Sequence, residues 1–270
     1  MIETEDIERV RVVTLARPEA LNAFDEALYH ATADALETAG EDPGIAVVVL
    51  TGTGRAFSAG QDVKEMAQLA TGEFEGAATG FQRLVGALRD FPKPLLCAVN
   101  GMALGIGATL LAYADLVLMS TEARVRVPFT DLAVAPEAAS SLTFPRLLGR
   151  QDATWMLLSS EWFSAEQCRE MGLAWRVTPP QDLLEETLRH ARVLASKPID
   201  SLVATKRTIV AGLNEGLDAA SQREIAEFQR LLGRPANLEA FAALAERRPP
   251  DFVAVDERTA RENETSESAP

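Results

Sequence analysis

Two glycine-punctuated loops, each directly after a short apolar run, constrain this chain more than any other feature. The first, Arg55-Ala56-Phe57-Ser58-Ala59-Gly60-Gln61-Asp62, follows Ile45 to Leu50. The second, Asn100-Gly101-Met102-Ala103-Leu104-Gly105-Ile106-Gly107, follows Leu95 to Val99. Such continuous apolar runs read as buried strands. Small residues in the loops that follow allow a ligand to approach the backbone closely and leave N–H groups free to point at it. Two N–H groups from two loops, converging on one oxygen, make an oxyanion hole.

The pattern around the loops predicts an α/β architecture with largely parallel strands. Ile7 to Leu15 reads as a strand. Asp25 is placed to cap a helix running to about Gly40, with Leu28, Ala31, Ala35, Leu36 and Ala39 on one face. Helical stretches follow at Val63 to Leu69 and Phe81 to Arg89, separated by a Gly-rich break, and Pro92 and Pro94 punctuate before the next strand. Gly107 to Tyr113 reads as a short buried helix, and Asp115 to Ser120 and Arg124 to Val127 as strands. The second half is helical. Ser164-Ala165-Glu166-Gln167 fits a capping box, with Gly172 ending that helix. Further helices are expected at about 181–195, 199–212, 216–232 and 236–247. The polar stretch Pro249 to Pro270 is expected to be a disordered tail.

A formal net charge of −14 argues against a nucleic-acid partner. Cys97 and Cys168 cannot build a disulfide framework, and without a CxxC pair or a His cluster no protein-built zinc site is expected. The acidic start, Met1 to Asp6, lacks a signal-peptide pattern, and no apolar run spans a bilayer. The expectation is a cytoplasmic protein with no membrane partner.

At the two loops the chain resembles the crotonase superfamily, the enoyl-CoA hydratase/isomerase family. The matching segments are Phe57-Ser58-Ala59-Gly60-Gln61-Asp62, Lys93 to Gly101 and Ala114-Asp115-Leu116. They continue through Phe163-Ser164-Ala165-Glu166 and Gly172-Leu173-Ala174 to Lys206, in matching order and spacing. The resemblance implies a spiral of ββα units over residues 1–195, a helical trimerisation region over 196–250 and the tail over 251–270. It implies an acyl-CoA thioester as ligand, coenzyme A entering as part of the substrate with no separate cofactor, and a homotrimer or dimer of trimers. By position the oxyanion donors are the N–H groups of Ala59 and Ile106, the latter at a helix start where the dipole favours negative charge. Asn22, Ala23, Arg55 and Lys206 are expected to meet the nucleotide portion. Gln61, Asp62 and Gly105 belong to the loops, Asp62 also as a helix cap. Met66, Leu69 and Phe81 are candidates for the acyl tunnel, with core packing an equal explanation, and Phe129 is a candidate pocket wall.

Hydration in this family uses two glutamates, and the corresponding positions here hold Thr109 and Phe129. A different carboxylate, Glu137, stands in Pro136-Glu137-Ala138-Ala139-Ser140-Ser141. This stretch looks like the peroxisomal-type 3,2-enoyl-CoA isomerases, in which the glutamate at this place is the single acid/base. Moving a double bond needs one base and an oxyanion hole, and a carboxyl among apolar neighbours has a raised pKa suited to proton shuttling. From composition alone Glu137 is a solvated loop residue.

Rival readings are a hydratase, thioester hydrolase or lyase with a rearranged site, and a non-catalytic acyl-CoA-binding protein. A Ser-His hydrolase is a third. It would need Ser58 near His30 or His190, which lie on expected helices, and there is no G-x-S-x-G elbow.

Overall fold

The computed structural model describes residues 1–74 and 79–267. The chain opens with an antiparallel hairpin, β1 (Ile2–Ile7) and β2 (Val10–Leu15), paired Ile7 to Val10, with Glu8 in the turn at φ +56°. The sequence predicts one strand from Ile7. The acidic start instead forms a charged edge strand, a composition that discourages pairing with other chains. Arg11 on β2 holds Asp6 on β1 at 2.7 Å.

Helix α1 (Glu26–Glu41) follows, its first turn capped by Asp25, which accepts the Leu28 N–H at 2.7 Å. The chain then winds through repeated units: β3 (Val47–Gly52), β4 (Ala56–Ser58), α2 (Val63–Thr71) and α3 (Gly80–Asp90). Next come β5 (Leu95–Val99), β6 (Met102–Leu104), α4 (Ile106–Thr109), which runs on as a 3₁₀ turn to Tyr113, then β7 (Leu116–Ser120) and β8 (Arg124–Arg126). The Gly-rich break between α2 and α3 lies partly outside the described residues.

Within each unit one strand joins a large sheet and the next joins a small one. The large sheet runs β1-β2-β3-β5-β7-β10, parallel from β2 onward, with β10 (Arg176–Thr178) at its far edge. The small sheet runs β4-β6-β8-β9, with β9 (Phe163–Ser164) antiparallel at the end. This is the expected spiral of ββα units.

The apolar runs are continuous because both faces of the large sheet are covered. Val48 and Leu50 of β3, with Leu95, Cys97 and Val99 of β5, face the core that contains α1 and α3. Val47 and Val49, with Leu96 and Ala98, face α8 (Leu183–Ala195), through Leu188, Ala191 and Ala195. Successive side chains point to opposite faces, so one strand serves two cores.

Two helices have no counterpart in the sequence reading: α5 (Ser140–Leu148) and α6 (Arg150–Ser159). The capping box at Ser164 forms as expected at the start of α7 (Ala165–Met171), and Gly172 ends it at φ +95°. After α8 come α9 (Ile199–Asn214), α10 (Leu217–Leu231) and α11 (Pro235–Glu246). The expected disordered tail is contradicted over Phe252–Glu267, which forms helix α12. Composition misleads here because the anchor is tertiary: Val255 is buried, and Arg248, just upstream, pairs with Glu239 of α11. Residues 268–270 lie outside the described residues. No described helix is long and apolar enough to cross a membrane.

Candidate active site

β4 and β6 are neighbours in the small sheet, so the loops leaving their ends lie side by side. Glycine makes the contact possible. A Cβ on Gly60, which sits at φ +85°, would stand 2.7 Å from the Leu104 carbonyl oxygen, and one on Gly107 would stand 2.8 Å from the Ser58 carbonyl oxygen. Both distances are too short for any side chain.

The amides in these loops divide into bonded and unbonded. Ala59 N–H donates to the Leu21 carbonyl at 2.9 Å, Gly60 N–H to Ser58 Oγ at 3.1 Å and Asp62 N–H to the Phe24 carbonyl at 2.8 Å. Gln61 N–H has no partner among the described residues. In the second loop Gly105 N–H donates to the Arg126 carbonyl at 3.0 Å, while Ile106 N–H, at the first residue of α4, has none. Of the two expected donors, the Ile106 amide is unbonded among the described residues and the Ala59 amide is not free.

 Ala59 is the correction: its amide is engaged by the carbonyl of Leu21, which lies before α1, and among the described residues the unbonded amide of the first loop is that of Gln61.

Glu137 enters from a strained turn. Ala138 and Ala139 both lie in the left-handed region, at φ +55° and +53°, a conformation costing about 1–2 kcal/mol for a residue with a Cβ. Neighbours hold it in place. Tyr113 Oη donates to the Ala138 carbonyl at 2.7 Å, and Ser140 Oγ donates to the Glu137 carbonyl at 2.6 Å. Glu224 of α10, 5 % exposed, accepts the N–H groups of Ala139 and Ser141 at 2.7 and 2.8 Å. Its carboxylate thereby caps α5, where the helix dipole favours negative charge. The serines after Glu137 thus serve the turn, not the chemistry directly. Nothing in the local pattern around Glu224 signals this role, because its partners lie on another element.

Glu137 lines two adjoining cavities, of about 320 Å³ and 470 Å³, that share Gln61, Met66, Glu137 and Phe228. The smaller also takes in Gly60, Gly105, Ile106 and Phe129, so the two residues with unbonded amides line one space together with Glu137. Burial pushes the Glu137 carboxyl up to about 8, and the Glu224 carboxylate adds to the rise. The other acids on these walls are engaged: Asp131 by Arg126, Glu65 by the Glu26 N–H, Glu26 by His30, Asp218 by Arg89 and Glu224 by its two amides. The Glu137 carboxyl has no hydrogen bond or ion pair among the described residues.

Met66 lines both cavities, Leu69 and Phe81 the larger and Phe129 the smaller. The remaining candidates, Asn22, Ala23, Arg55, Asp62, Thr109 and Lys206, line neither cavity. Lys206 is 8 % exposed, and its ammonium pairs with Asp115 at 2.8 Å and donates to the Lys93 carbonyl at 2.9 Å. Asp115 also accepts the Leu95 N–H at 2.7 Å, so this pair ties α9 to β5. Asn22 is fully buried, with its side-chain amide donating to the carbonyls of Thr53 and Ala56 and its oxygen accepting the Arg17 N–H. Asn22 and the buried Ala23 brace the loop from behind. Arg55 is exposed and lines neither cavity. Asp62 caps α2, as expected from its place after the first loop, and pairs with Arg17 at 3.1 Å. Thr109 is buried and lines neither cavity.

The Ser-His arrangement is absent. Ser58 is buried and donates to the Asn22 carbonyl at 2.8 Å, while His30 and His190 contact Glu26 and Glu186 on their own helices. Among the described residues no group of three or more His, Cys, Asp or Glu can hold a metal ion.

Residues 5–254 match the family described as Enoyl-CoA hydratase/isomerase. Similar proteins include the 1,2-epoxyphenylacetyl-CoA isomerase of Escherichia coli, 35 % identical over 249 residues, covering 90 % of this chain and 95 % of the relative. The human enoyl-CoA delta isomerase 2 is 34 % identical over 212 residues, covering 77 % of this chain and 54 % of that protein. Among solved structures, an enoyl-CoA hydratase/isomerase from Pseudoalteromonas atlantica superposes with a TM-score of 0.88 at 34 % identity, covering 93 % of this chain and 99 % of that one. An enoyl-CoA hydratase from Mycobacterium marinum is 56 % identical, with a TM-score of 0.74 over 78 % of this chain and 99 % of that one. The spiral fold, the paired glycine loops and these similarities agree, and the chain belongs to the enoyl-CoA hydratase/isomerase family.

Proposed function

We propose that this chain moves the double bond of a 3-enoyl-CoA thioester to the 2-position. The thioester oxygen accepts hydrogen bonds from the Gln61 and Ile106 amides. The Glu137 carboxylate takes the proton from the α-carbon, and the electron pair of that C–H bond moves into an enolate whose charge rests on the thioester oxygen. When the carbonyl reforms, the double bond settles between the α- and β-carbons, and the γ-carbon takes the proton back from Glu137. Atoms balance and no water is consumed. One oxyanion donor is typically worth about 3–4 kcal/mol in the transition state, and a placed acid/base contributes roughly 10²–10⁴ in rate.

The observation that carries this reading is the unengaged Glu137 carboxyl on the same cavity wall as the two unbonded amides. Phe129 on that wall and Thr109 behind it offer no second carboxylate to hold a water, which supports isomerisation over hydration. The names of the Escherichia coli and human relatives include isomerases, and others are named hydratases. The thioester brings coenzyme A as part of the substrate, with no separate cofactor in this mechanism. A homotrimer or dimer of trimers fits the exposed apolar residues Leu147, Trp155, Leu158 and Ile209, and light scattering in solution measures it. Two buried, unpaired cysteines suit a reducing, cytoplasmic setting.

The test offers 3-hexenoyl-CoA and 2-hexenoyl-CoA separately to the purified protein. The expected result is rapid conversion of the first to the 2-enoyl isomer, lost in Glu137→Gln. Fast hydration of the second without isomerisation of the first overturns the assignment. Binding of both with turnover of neither supports the non-catalytic reading instead.

A further inference from the structure

The larger cavity is lined by a residue whose buried polar group isomerisation does not use. Tyr29 of α1 lines this cavity, is 2 % exposed, and its hydroxyl makes no hydrogen bond among the described residues. Its ring is fixed, stacked on Phe24 at 4.9 Å between centroids and edge-on to Phe81 at 5.9 Å. The backbone also closes on it: a Cβ on Gly80 would stand 2.7 Å from the Tyr29 Cβ. Buried hydroxyls normally find a partner, and leaving one unpaired is costly.

The charged groups that act on this hydroxyl are Glu137, Glu65 and Glu26, all on the same cavity. None of them serves as its acceptor. Glu26 is occupied by the N–H groups of Thr79 and Gly80 and by His30, and Glu65 by the N–H of Glu26. Burial and the three carboxylates hold the phenol well above its ordinary pKa, so it stays protonated and acts as a donor.

We propose that the larger cavity selects acyl groups carrying a neutral oxygen, as a hydroxyl, ketone or ether, which accepts a hydrogen bond from Tyr29. A hydrocarbon chain leaves the donor unpaired. A carboxylate on the chain satisfies the donor but enters beside Glu26 and Glu65, where like charge opposes it. The apolar walls formed by Leu69, Phe81, Val85 and Phe228 carry the rest of the chain. Sites built to hydrogen-bond a substrate atom reject analogues that lack it far more strongly than apolar pockets reject a missing methylene. The inference rests on the acyl-CoA reading and adds the substrate class.

Saturated thioesters test it, because they have no double bond to move and report binding alone. Hexanoyl-CoA, 4-oxohexanoyl-CoA, 5-oxohexanoyl-CoA and adipoyl-CoA are titrated calorimetrically into the full chain and into Tyr29→Phe. At least one oxo compound is expected to bind tenfold or more tightly than hexanoyl-CoA, with adipoyl-CoA weaker than that oxo compound, and Tyr29→Phe is expected to erase the advantage. The free Tyr29→Phe protein should melt no lower than wild type, because it loses only an unpaired hydroxyl. Equal binding of the oxo and hydrocarbon thioesters overturns the inference. So does an advantage that survives in Tyr29→Phe, or a variant that melts well below wild type. If hexanoyl-CoA and the oxo compounds all fail to bind, the acyl-CoA reading falls and takes the inference with it. If hexanoyl-CoA binds and only the oxo advantage is missing, the Tyr29 inference falls alone.

Discussion

Replacing Glu137 by Gln is expected to stabilise the folded chain in alkali and leave it unchanged in acid. The carboxyl has an ordinary value of 4.5, and burial in the fold pushes it up to about 8. Between those values the folded chain keeps the proton while the unfolded chain has released it. Stability therefore falls as pH rises through this window, by up to about 1.4 kcal/mol per pH unit for this one group. Below the window both states are protonated and the group contributes no difference. Above the folded value the full penalty is present, with a ceiling of about 4–5 kcal/mol. The two cavities give water partial access to the side chain, which lowers the working figure to about 2–3 kcal/mol. Gln keeps the shape and cannot ionise. At pH 9 the variant should melt roughly 5–10 °C above wild type, and at pH 5 the two melting curves should coincide. Circular-dichroism melts across this range, repeated with urea, measure the gap. A gap that does not change with pH, or a variant less stable at pH 9, refutes the desolvated carboxyl on which the reasoning depends.

The catalytic form of Glu137 is the carboxylate, so kcat/KM for 3-hexenoyl-CoA should climb with pH and level off above about 8. A rate already flat at pH 5 contradicts this. Lys206→Met should lower stability by about 1 kcal/mol, as read by urea denaturation, because it removes the ammonium that pairs with the solvent-accessible Asp115 and bonds the Lys93 carbonyl. Gly60→Ala places a Cβ 2.7 Å from the Leu104 oxygen in a left-handed backbone. It should separate the two loops and lower kcat at least tenfold, and an unchanged kcat argues against their role in stabilising the enolate.

The strands and most helices were legible because their signals are local. The run Ile45 to Leu50 is apolar throughout since alternate residues serve opposite cores, and Asp25, Ser164 and Gly172 carry their cap chemistry within a few residues of the helices they bound. Misreadings arose where a distant contact decides. Met1 to Asp6 carries no strand pattern of its own until β2 supplies a partner, and Phe252–Glu267 looks disordered until α11 is placed beside it. Lys206 looks like a surface cation, and only the arrival of Asp115 from another element makes it a buried strut.

The sequence by itself determined the two loops, the buried strands that deliver them, and a glutamate set after a proline among apolar neighbours. Those follow from residue type and from spacing along the chain. Tertiary structure decided which amides remain free, Gln61 and Ile106 but not Ala59, and that Glu224 holds the turn bearing Glu137. A hydrogen bond is allotted among groups that meet only when the chain has folded. Spacing can therefore place a loop, whereas the availability of each N–H in it depends on which carbonyl arrives opposite.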